Sequence, residues 1–185
     1  MINLQQLVER VGPLDHRRAA RYALNAALQL EELHRQGGVH RDVRPTTLVL
    51  DHRGNAELVA AAPAPAISTL TYCSDAELPE VLPCVDYLAP EAALSSERAD
   101  HRRDIYSLGC VLYFLLTGRP PFAAGSVSER LLCHQVTPPP AIAKSRADTP
   151  AILSQLCAKM MSKKPRDRPQ SALEVAETLR GWLKP

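Results

Sequence analysis

Acidic and basic side chains that could carry chemistry follow one another in one short polar stretch, at His40, Arg41, Asp42 and Arg44. A positioned carboxylate can take a proton from a hydroxyl group, and basic side chains beside it can hold an anionic substrate. The apolar run at residues 48–50 follows and predicts a short strand. Because a lone His-Arg-Asp tripeptide is weak evidence for any function, the rest of the chain decides how it is interpreted.

Three further motifs follow the tripeptide. Asp-Tyr-Leu-Ala-Pro-Glu occupies residues 86–91, Asp-Ile-Tyr-Ser-Leu-Gly occupies 104–109, and Pro-Arg-Asp-Arg-Pro occupies 165–169. In this order, after His-Arg-Asp at 40–42, the motifs resemble those in the C-terminal lobe of the eukaryotic-type serine/threonine protein kinases. The form Val-Asp-Tyr-Leu-Ala-Pro-Glu is most similar to bacterial members. The resemblance extends over residues 3–183.

The resemblance implies a catalytic role for two of the charged residues. Phosphoryl transfer in such kinases needs positioning, metal ions and a carboxylate near the acceptor hydroxyl. Asp42 matches the carboxylate that receives the proton of that hydroxyl. Arg44 stands where the family usually has a lysine near the γ-phosphate, which keeps the charge but changes its geometry. The family resemblance also implies ATP and Mg²⁺ as cofactors.

Two metal-binding positions depart from the family pattern. Thr47 stands in place of an asparagine, although a hydroxyl can still ligate Mg²⁺. Residues 60–62 read Ala-Ala-Ala where the family has Asp-Phe-Gly, so Ala60 lacks the carboxylate that holds the metal. The loss of a metal clamp costs several orders of magnitude in rate. We therefore expect a pseudokinase that binds neither ATP nor Mg²⁺ by itself.

The resemblance also implies regulatory positions. Arg41 matches the arginine that pairs with an activation-segment phosphate in members regulated this way. The candidate phosphoacceptors opposite it are Ser68, Thr69, Thr71 and Ser74, and an unmodified loop is the simpler alternative. Cys84 stands where serine/threonine-type members usually carry threonine, and it is interpreted either as a reactive thiol or as a small apolar residue.

Four residues match structural positions of the family. His40 matches the packing histidine of the catalytic loop. Glu91 and Arg168 match a buried ion pair that ties the end of the activation segment to the base of the lobe. Asp104 matches the acid that accepts hydrogen bonds from the backbone of the His-Arg-Asp loop.

A buried central helix is expected to position these groups. Residues 104–118 are apolar on every side of a helical period, and the apolar part, about a dozen residues, is well short of the ~20 that a membrane span needs. Asp104 is expected to cap this helix. The predicted fold class is mainly α, a protein-kinase-like C-lobe in which a helical bundle surrounds the central helix, with one small β-hairpin at residues 48–50 and 56–59.

Capping residues and helical periodicity predict five further helices. Asn3 and Asp15 cap the first two, the second ends at Gly37-Gly38, and later helices begin near Ser126, Thr149 and Pro169. The residues expected to face the core are Leu4, Leu7, Val8, Val11, Ala19, Ala23, Ala26, Leu30, Leu33, Val127, Leu131, Leu132, Ile152, Leu153, Leu156, Met160, Leu173, Ala176, Leu179 and Leu183.

The chain is expected to form a single domain over residues 1–185. Within it we distinguish a catalytic-loop region at 39–62, an activation segment at 60–91 and a helical subdomain at 92–185. The sequence contains no Gly-x-Gly-x-x-Gly and no Val-Ala-Ile-Lys pattern. An N-lobe, which carries both patterns in the family, is therefore expected to be absent.

Composition excludes some other functions. A net charge of +2 without a dense basic run argues against a nucleic-acid surface. The five cysteines have no metal-ligand or redox spacing, which indicates reduced thiols in a cytoplasmic protein. No basic segment followed by an apolar core begins the chain, so we expect no signal peptide. Surface or packing roles are expected for five histidines, at His16, His34, His52, His101 and His134.

Three functional hypotheses follow. The first is an impaired kinase-like domain that acts as a binding or scaffold module for a protein partner. The second is an active ATP-dependent serine/threonine kinase fragment whose N-lobe is supplied upstream or by another chain. The third is a relic without a selected function, which predicts poor folding because apolar surface would be exposed.

Overall fold

The computed structural model describes residues 1–60, 84–93 and 100–184. These residues are mainly helical with one small sheet, which confirms the predicted fold class. The helices and strands are α1 (Leu4–Val11), α2 (His16–Arg35), β1 (Leu48–Leu50), β2 (Ala56–Leu58), α3 (Arg102–Thr117), α4 (Val127–Val136), α5 (Ala151–Met160) and α6 (Ala172–Leu183). Short 3-10 turns lie at Pro45–Thr47, Pro90–Ala93, Ile142–Lys144 and Pro165–Asp167. None of the helices in these ranges is long and apolar enough to cross a membrane.

Helix α3 is the centre of the fold. Its residues 104–116 are all buried, and α2 and α5 pack against it. A Cβ atom at Gly109 would lie 2.9 Å from the Cβ of Met160, so glycine is what allows α5 to pack this closely. The helix ends at Gly118, whose φ of 78° lies in the left-handed region that glycine adopts without strain.

The prediction that Asp104 caps α3 was wrong. The helix begins two residues earlier, at Arg102, and the preceding His101 makes no side-chain capping bond. The carboxylate of Asp100 accepts a hydrogen bond from the backbone N–H of Arg102 at 2.9 Å. Asp104 is left with a different role, because its buried carboxylate faces the loop at residues 40–41.

The first two helices begin at the predicted caps. Asn3 and Gln6 form a reciprocal capping box, and Asp15 accepts a hydrogen bond from the third backbone N–H of α2. Leu33 is only half-buried, although the periodicity of α2 predicted a core position. Its side chain lies over Gly38, where an added Cβ would be 2.5 Å from a Leu33 methyl carbon. Leu33 thus covers the end of the helix.

The two strands form the predicted hairpin. Leu48 lies opposite Leu58 in an antiparallel pair, and Val59 lies just beyond the strand rather than in it. The backbone N–H of Leu50 donates to the carbonyl of Ile2 at 2.9 Å. The outer edge of the hairpin is therefore attached to the segment that precedes α1.

Several residues predicted to face the core lie at the surface. The most exposed are Val11, Leu132, Ile152 and Leu173, with exposed fractions of 58%, 57%, 40% and 39%. In α4 the buried face consists of Val127, Leu131 and His134, at spacings of four and three residues. Leu132 lies one position beyond Leu131, a rotation of about 100° that turns it toward solvent.

His134, for which a surface or packing role was expected, is a buried packing residue of α4. It is 1% exposed, its ring packs on Phe122, and its Nδ1 atom lies 2.9 Å from the hydroxyl of Tyr106. Burial, with a smaller contribution from the charge of Lys163, lowers the pKa of His134 to about 3. The ring is therefore neutral at physiological pH, and Nδ1 accepts the proton of Tyr106.

This buried histidine predicts a loss of stability in acid. The unfolded chain protonates His134 near its usual pKa of 6.5, whereas the folded chain resists protonation down to about 3. The stabilisation is therefore complete above pH 6.5 and is lost as the pH falls from 6.5 toward 3. Urea unfolding at pH 7 and pH 5 should show that the wild type loses about 2 kcal/mol more than His134→Gln. Equal losses in the two proteins would contradict this assignment.

Candidate active site

The loop that carries His40, Arg41 and Asp42 is held from behind by Asp104. One carboxylate oxygen of Asp104 accepts the backbone N–H of His40 and the other accepts that of Arg41, both at 2.8 Å. Nε2 of His34 lies 2.9 Å from the first of these oxygens. Asp104 is 1% exposed, so these contacts replace the water that the buried charge has lost.

His34 is a residue of this site that sequence reasoning missed. Its side chain is 6% exposed at the end of α2 and faces Asp104 directly. The only sequence signal is its position six residues before His40. Only the packing of α2 on α3 makes it a neighbour of the loop.

The backbone of Arg41 adopts a left-handed conformation with φ of 69°. For a residue with a Cβ this conformation costs about 1–2 kcal/mol. In this conformation the consecutive backbone N–H groups of His40 and Arg41 both donate to the carboxylate of Asp104. The side chain of Arg41 is left exposed to solvent.

The carboxylate of Asp42 is bound by Arg44. The guanidinium Nε of Arg44 lies 2.9 Å and 3.0 Å from the two oxygens of Asp42, and its Nη1 lies 3.3 Å from Sγ of Cys84. Burial raises the pKa of Asp42, while Arg44 and His40 act in the opposite direction. Arg44 therefore links the catalytic loop to the segment at residues 84–93.

Cys84 is half-buried beside this pair. Burial raises the pKa of its thiol, although the charge of Arg44 works against that increase. A raised thiol pKa leaves little thiolate near neutral pH, and the thiolate is the nucleophile. The environment thus favours the small packing residue over the reactive thiol.

Thr47 is buried, and its hydroxyl closes the catalytic loop. Oγ1 accepts the backbone N–H of Arg44 at 3.1 Å and lies 2.9 Å from the carbonyl of Asp42 and 3.0 Å from that of Arg44, either of which can accept its proton. The hydroxyl of Thr47 is therefore already engaged in hydrogen bonds within the loop.

The side chains at the family's metal positions do not fit the magnesium ions that the resemblance implies. Thr47 is occupied in the loop, Ala60 is exposed and has no ligand atom, and Asp42 is bound to Arg44. Within the described residues, no group of three or more histidine, cysteine or acidic side chains has an arrangement that could hold a metal ion.

His40 holds the chain just before Ala60. Nε2 of His40 lies 3.0 Å from the carbonyl of Val59, and Nδ1 lies 3.4 Å from the backbone N–H of Asp42. In the neutral tautomer that suits both contacts, Nε2 carries the proton and donates to Val59. The residue that precedes Ala60 is therefore fixed against the catalytic loop.

Glu91 and Arg168 form a bidentate ion pair. Nη1 and Nη2 of Arg168 lie 2.6 Å and 2.7 Å from the two oxygens of Glu91. The guanidinium, whose side chain is 0% exposed, also donates to the carbonyls of Arg102, Ser162 and Lys163. Each N–H group of the Arg168 guanidinium thus donates a hydrogen bond. These bonds fix residues 90–93 against the base of α3.

Two more contacts fix the segment at 84–93. Asp86 is buried and pairs with Nη1 of Arg130 in α4 at 2.8 Å, while the hydroxyl of Ser107 donates to the carbonyl of Tyr87 at 2.7 Å. Burial raises the pKa of Asp86 and Arg130 opposes that increase. The pairing with Arg130 joins residues 44 positions apart, and no sequence motif pointed to it.

Arg103 is a second cation near Arg41 that sequence reasoning missed. It is half-buried, and burial lowers its pKa, an effect to which the charge of Arg41 contributes. Asp104 and Glu91 oppose this effect, but both are already hydrogen-bonded to other groups. Arg41 and Arg103 are therefore two cations close enough to interact. The proposed phosphoacceptors Ser68, Thr69, Thr71 and Ser74 lie outside the described residues.

Comparison with known proteins identifies the family to which the chain belongs. The family model described as "Protein kinase domain" matches residues 1–179. The chain is 33% identical over 178 residues to the serine/threonine-protein kinase PknB of Mycolicibacterium smegmatis, covering 96% of this chain and 28% of that protein. It is 33% identical over 177 residues to the serine/threonine-protein kinase PknH of Mycobacterium tuberculosis (strain H37Rv), covering 94% and 27%.

A third relative is similar to the same extent. The probable serine/threonine-protein kinase PknB of Bifidobacterium longum is 32% identical over 178 residues, covering 92% of this chain and 24% of that protein. The chain thus spans roughly a quarter of the length of these relatives. With the family model matched over nearly its whole length and these bacterial kinases above 30% identity, the chain belongs to the protein kinase domain family.

Proposed function

We propose that this chain is a catalytically impaired, protein-kinase-like domain that works as a protein-binding or scaffold module. The observation that carries the proposal is the contrast between two sets of residues. Ala60 and Thr47 offer no available metal ligand, whereas Glu91, Arg168 and Asp104 keep the contacts that hold the fold. Selection for a stable surface without catalysis explains both halves of this pattern.

The chemistry of the loop agrees with impairment. Phosphoryl transfer depends on charge stabilisation at the transferred group more than on covalent work by the protein. The guanidinium of Arg44, which binds Asp42, is also in contact with Cys84. Asp42 could still receive a proton from a hydroxyl, but no available carboxylate accompanies it at the positions of the metal ligands.

A second function is favoured by the intact catalytic loop. Asp42 and Arg44 keep the family's residue types or charge, and Asp104 holds the loop in an ordered conformation. An active serine/threonine kinase fragment that receives its N-lobe upstream or in trans would use these groups. Arg41, together with Arg103, would then bind a phosphate on the activation segment, at Thr69 or Thr71.

The test is phosphate transfer by the purified chain, both alone and with a kinase N-lobe supplied by fusion or in trans. With Mg²⁺, radiolabelled ATP and a generic protein substrate, we expect no transfer above the level of an Asp42→Asn control. Calorimetric titration with ATP is likewise expected to show no binding that depends on Mg²⁺. Magnesium-dependent transfer that disappears in Asp42→Asn would overturn the impaired reading and support the active one.

The partner and the location are part of the proposal. We infer a protein partner, with a chain that carries an N-lobe as one candidate, and a cytoplasmic location because scattered cysteines without pairing motifs are typical of reducing compartments. Crosslinking in the native cells followed by mass spectrometry tests the partner. A cooperative unfolding transition with a high midpoint would speak against the relic hypothesis.

A further inference from the structure

Basic side chains gather where α2 begins and α6 ends. Arg17 in the first turn of α2 donates to the carbonyl of Leu183 at the end of α6, at 2.6 Å. At the other end of the two helices, Glu31 of α2 accepts the backbone N–H of Leu173 near the start of α6, at 3.0 Å. The helices therefore pack antiparallel, and the start of α2 lies beside the end of α6. The five side chains that form what we call the basic patch are Arg17, Arg18, Arg21, Arg180 and Lys184.

The charges of the basic patch are not paired with carboxylates of the described residues. Four of the five residues are exposed and Arg18 is half-buried. The ion pairs in the described part of the chain all use other basic side chains. The guanidinium carbons of Arg18 and Arg21 each lie 5.7 Å from the centre of the Tyr22 ring, and Nε of Arg18 donates to the Tyr22 hydroxyl at 3.0 Å. These two charges are thus held close to each other.

The stability of α2 does not explain its three arginines. The N-terminus of a helix carries a partial positive charge, so cations in its first turns are unfavourable. The first turn of α2 contains no acidic residue. Asp15 lies just before it and uses its carboxylate to accept the backbone N–H of Arg18 at 2.9 Å. The excess of positive charge at this end of the helix is therefore a cost to the fold that a binding role would explain.

The spacing of the charges fits an extended chain. Arg17 and Arg21 are one helical turn apart in α2, as are Arg180 and Lys184 at the end of α6, and four residues of helix rise about 6 Å. Alternate side chains of an extended peptide lie on one face about 6–7 Å apart. An acidic side chain at every second position of such a peptide would therefore meet successive cations of the patch.

We propose that the basic patch binds an acidic, extended segment of a partner protein, with aspartate or glutamate side chains at alternate positions. Four of the five cations are arginines, whose planar guanidinium matches a carboxylate with two parallel hydrogen bonds. The proposal rests on the proposed function as a protein-binding module, and it names the surface and the chemical class of the partner.

Two other anionic partners fit the patch less well. Peripheral membrane binding combines cations with apolar side chains that enter the lipid. Trp182 and Leu183 lie between Arg180 and Lys184 in the sequence, but both pack against the core, so the end of α6 offers charge without an apolar anchor. A nucleic acid is disfavoured because the whole chain carries a net charge of only +2.

The experiment titrates the folded chain with a fluorescein-labelled peptide of alternating glutamate and glycine, followed by fluorescence anisotropy at low ionic strength. A peptide of alternating glutamine and glycine is the uncharged control. We expect only the glutamate peptide to bind, and added salt to weaken its binding because salt screens exposed charges. Arg21→Glu combined with Arg180→Glu should weaken the binding at least about tenfold.

The matched control reverses two exposed charges outside the patch. Arg53→Glu combined with Lys159→Glu changes the net charge by the same amount and should alter the affinity by less than about twofold. Circular dichroism establishes that each variant is folded. If the first double variant does not fold, Arg21→Gln combined with Arg180→Gln replaces it, with an expected weakening of at least about threefold.

Three results would overturn the proposal. They are equal binding of the two peptides, equal weakening in the patch variant and its control, and tighter binding to phosphatidylserine vesicles than to the glutamate peptide. The titration contains neither ATP nor Mg²⁺, so a negative result leaves the proposed catalytic impairment untouched. Phosphate transfer by the chain would overturn the impairment without deciding what the basic patch binds.

Discussion

Glu91→Ala is expected to lower the free energy of unfolding by about 3–5 kcal/mol. The variant leaves the guanidinium of Arg168 buried with its charge uncompensated, because the remaining partners are neutral carbonyls. The side chain of Arg168 is 0% exposed, so bulk water compensates its charge only weakly in the folded protein. Urea unfolding followed by circular dichroism measures the change.

An exposed pair on the same protein is the control for this effect. Glu32 and Arg35 lie 2.7 Å apart in α2, but their side chains are 57% and 67% exposed. Glu32→Ala should therefore change the stability by less than about 1 kcal/mol. If Glu91→Ala and Glu32→Ala cost the same, burial does not make the Glu91–Arg168 pair important.

Asp104→Ala is expected to be similarly severe, at about 3–5 kcal/mol, and to release the catalytic loop. The variant removes the acceptor of two backbone N–H groups and of His34 at once, and donors left unsatisfied in the interior cost about 1–3 kcal/mol each. Hydrogen exchange should show faster exchange of the His40 and Arg41 amides, because their only described acceptor is gone. Urea unfolding measures the stability.

Two further variants serve as comparisons for Asp104→Ala. Asp104→Asn keeps one carbonyl oxygen but turns an NH₂ group toward donors, so its loss of stability should be smaller than that of Asp104→Ala yet clearly measurable. Asp148→Ala removes a carboxylate with 69% exposure and should have little effect. Unchanged amide protection at His40 and Arg41 in folded Asp104→Ala would show that something other than Asp104 holds the loop.

These two predictions concern residues that the sequence pointed to in different ways. The motif at 165–169 indicated Arg168 and the motif at 86–91 indicated Glu91, so the family pattern alone suggested that they pair. Asp104 was chosen both as a helix cap and as a partner of the loop, and only the second role agrees with its contacts. Local patterns thus identified Asp104 correctly as a structural residue, but one of the two roles predicted for it, the helix cap, was wrong.

The departures from the sequence-based expectations have a common cause. Helical periodicity identifies an apolar face, but it does not say how wide the buried part of that face is. Leu132 and Ile152 belong to apolar faces and yet point to solvent, whereas His134 is buried because Tyr106 and Phe122 enclose it. The neighbouring helix decides each of these outcomes.

The sequence by itself determined the caps of α1 and α2, the hairpin, the buried central helix, the family and the absence of a metal-binding carboxylate at Ala60. All of these depend on residue types within a few positions of each other or on motifs read in order. Only the tertiary structure decided that His34 faces Asp104, that Arg130 pairs with Asp86 and that the amine of Lys163 donates to the backbone carbonyl of Cys133. Each of these contacts joins residues 30 or more positions apart, and their distance is set by how the helices pack rather than by local spacing.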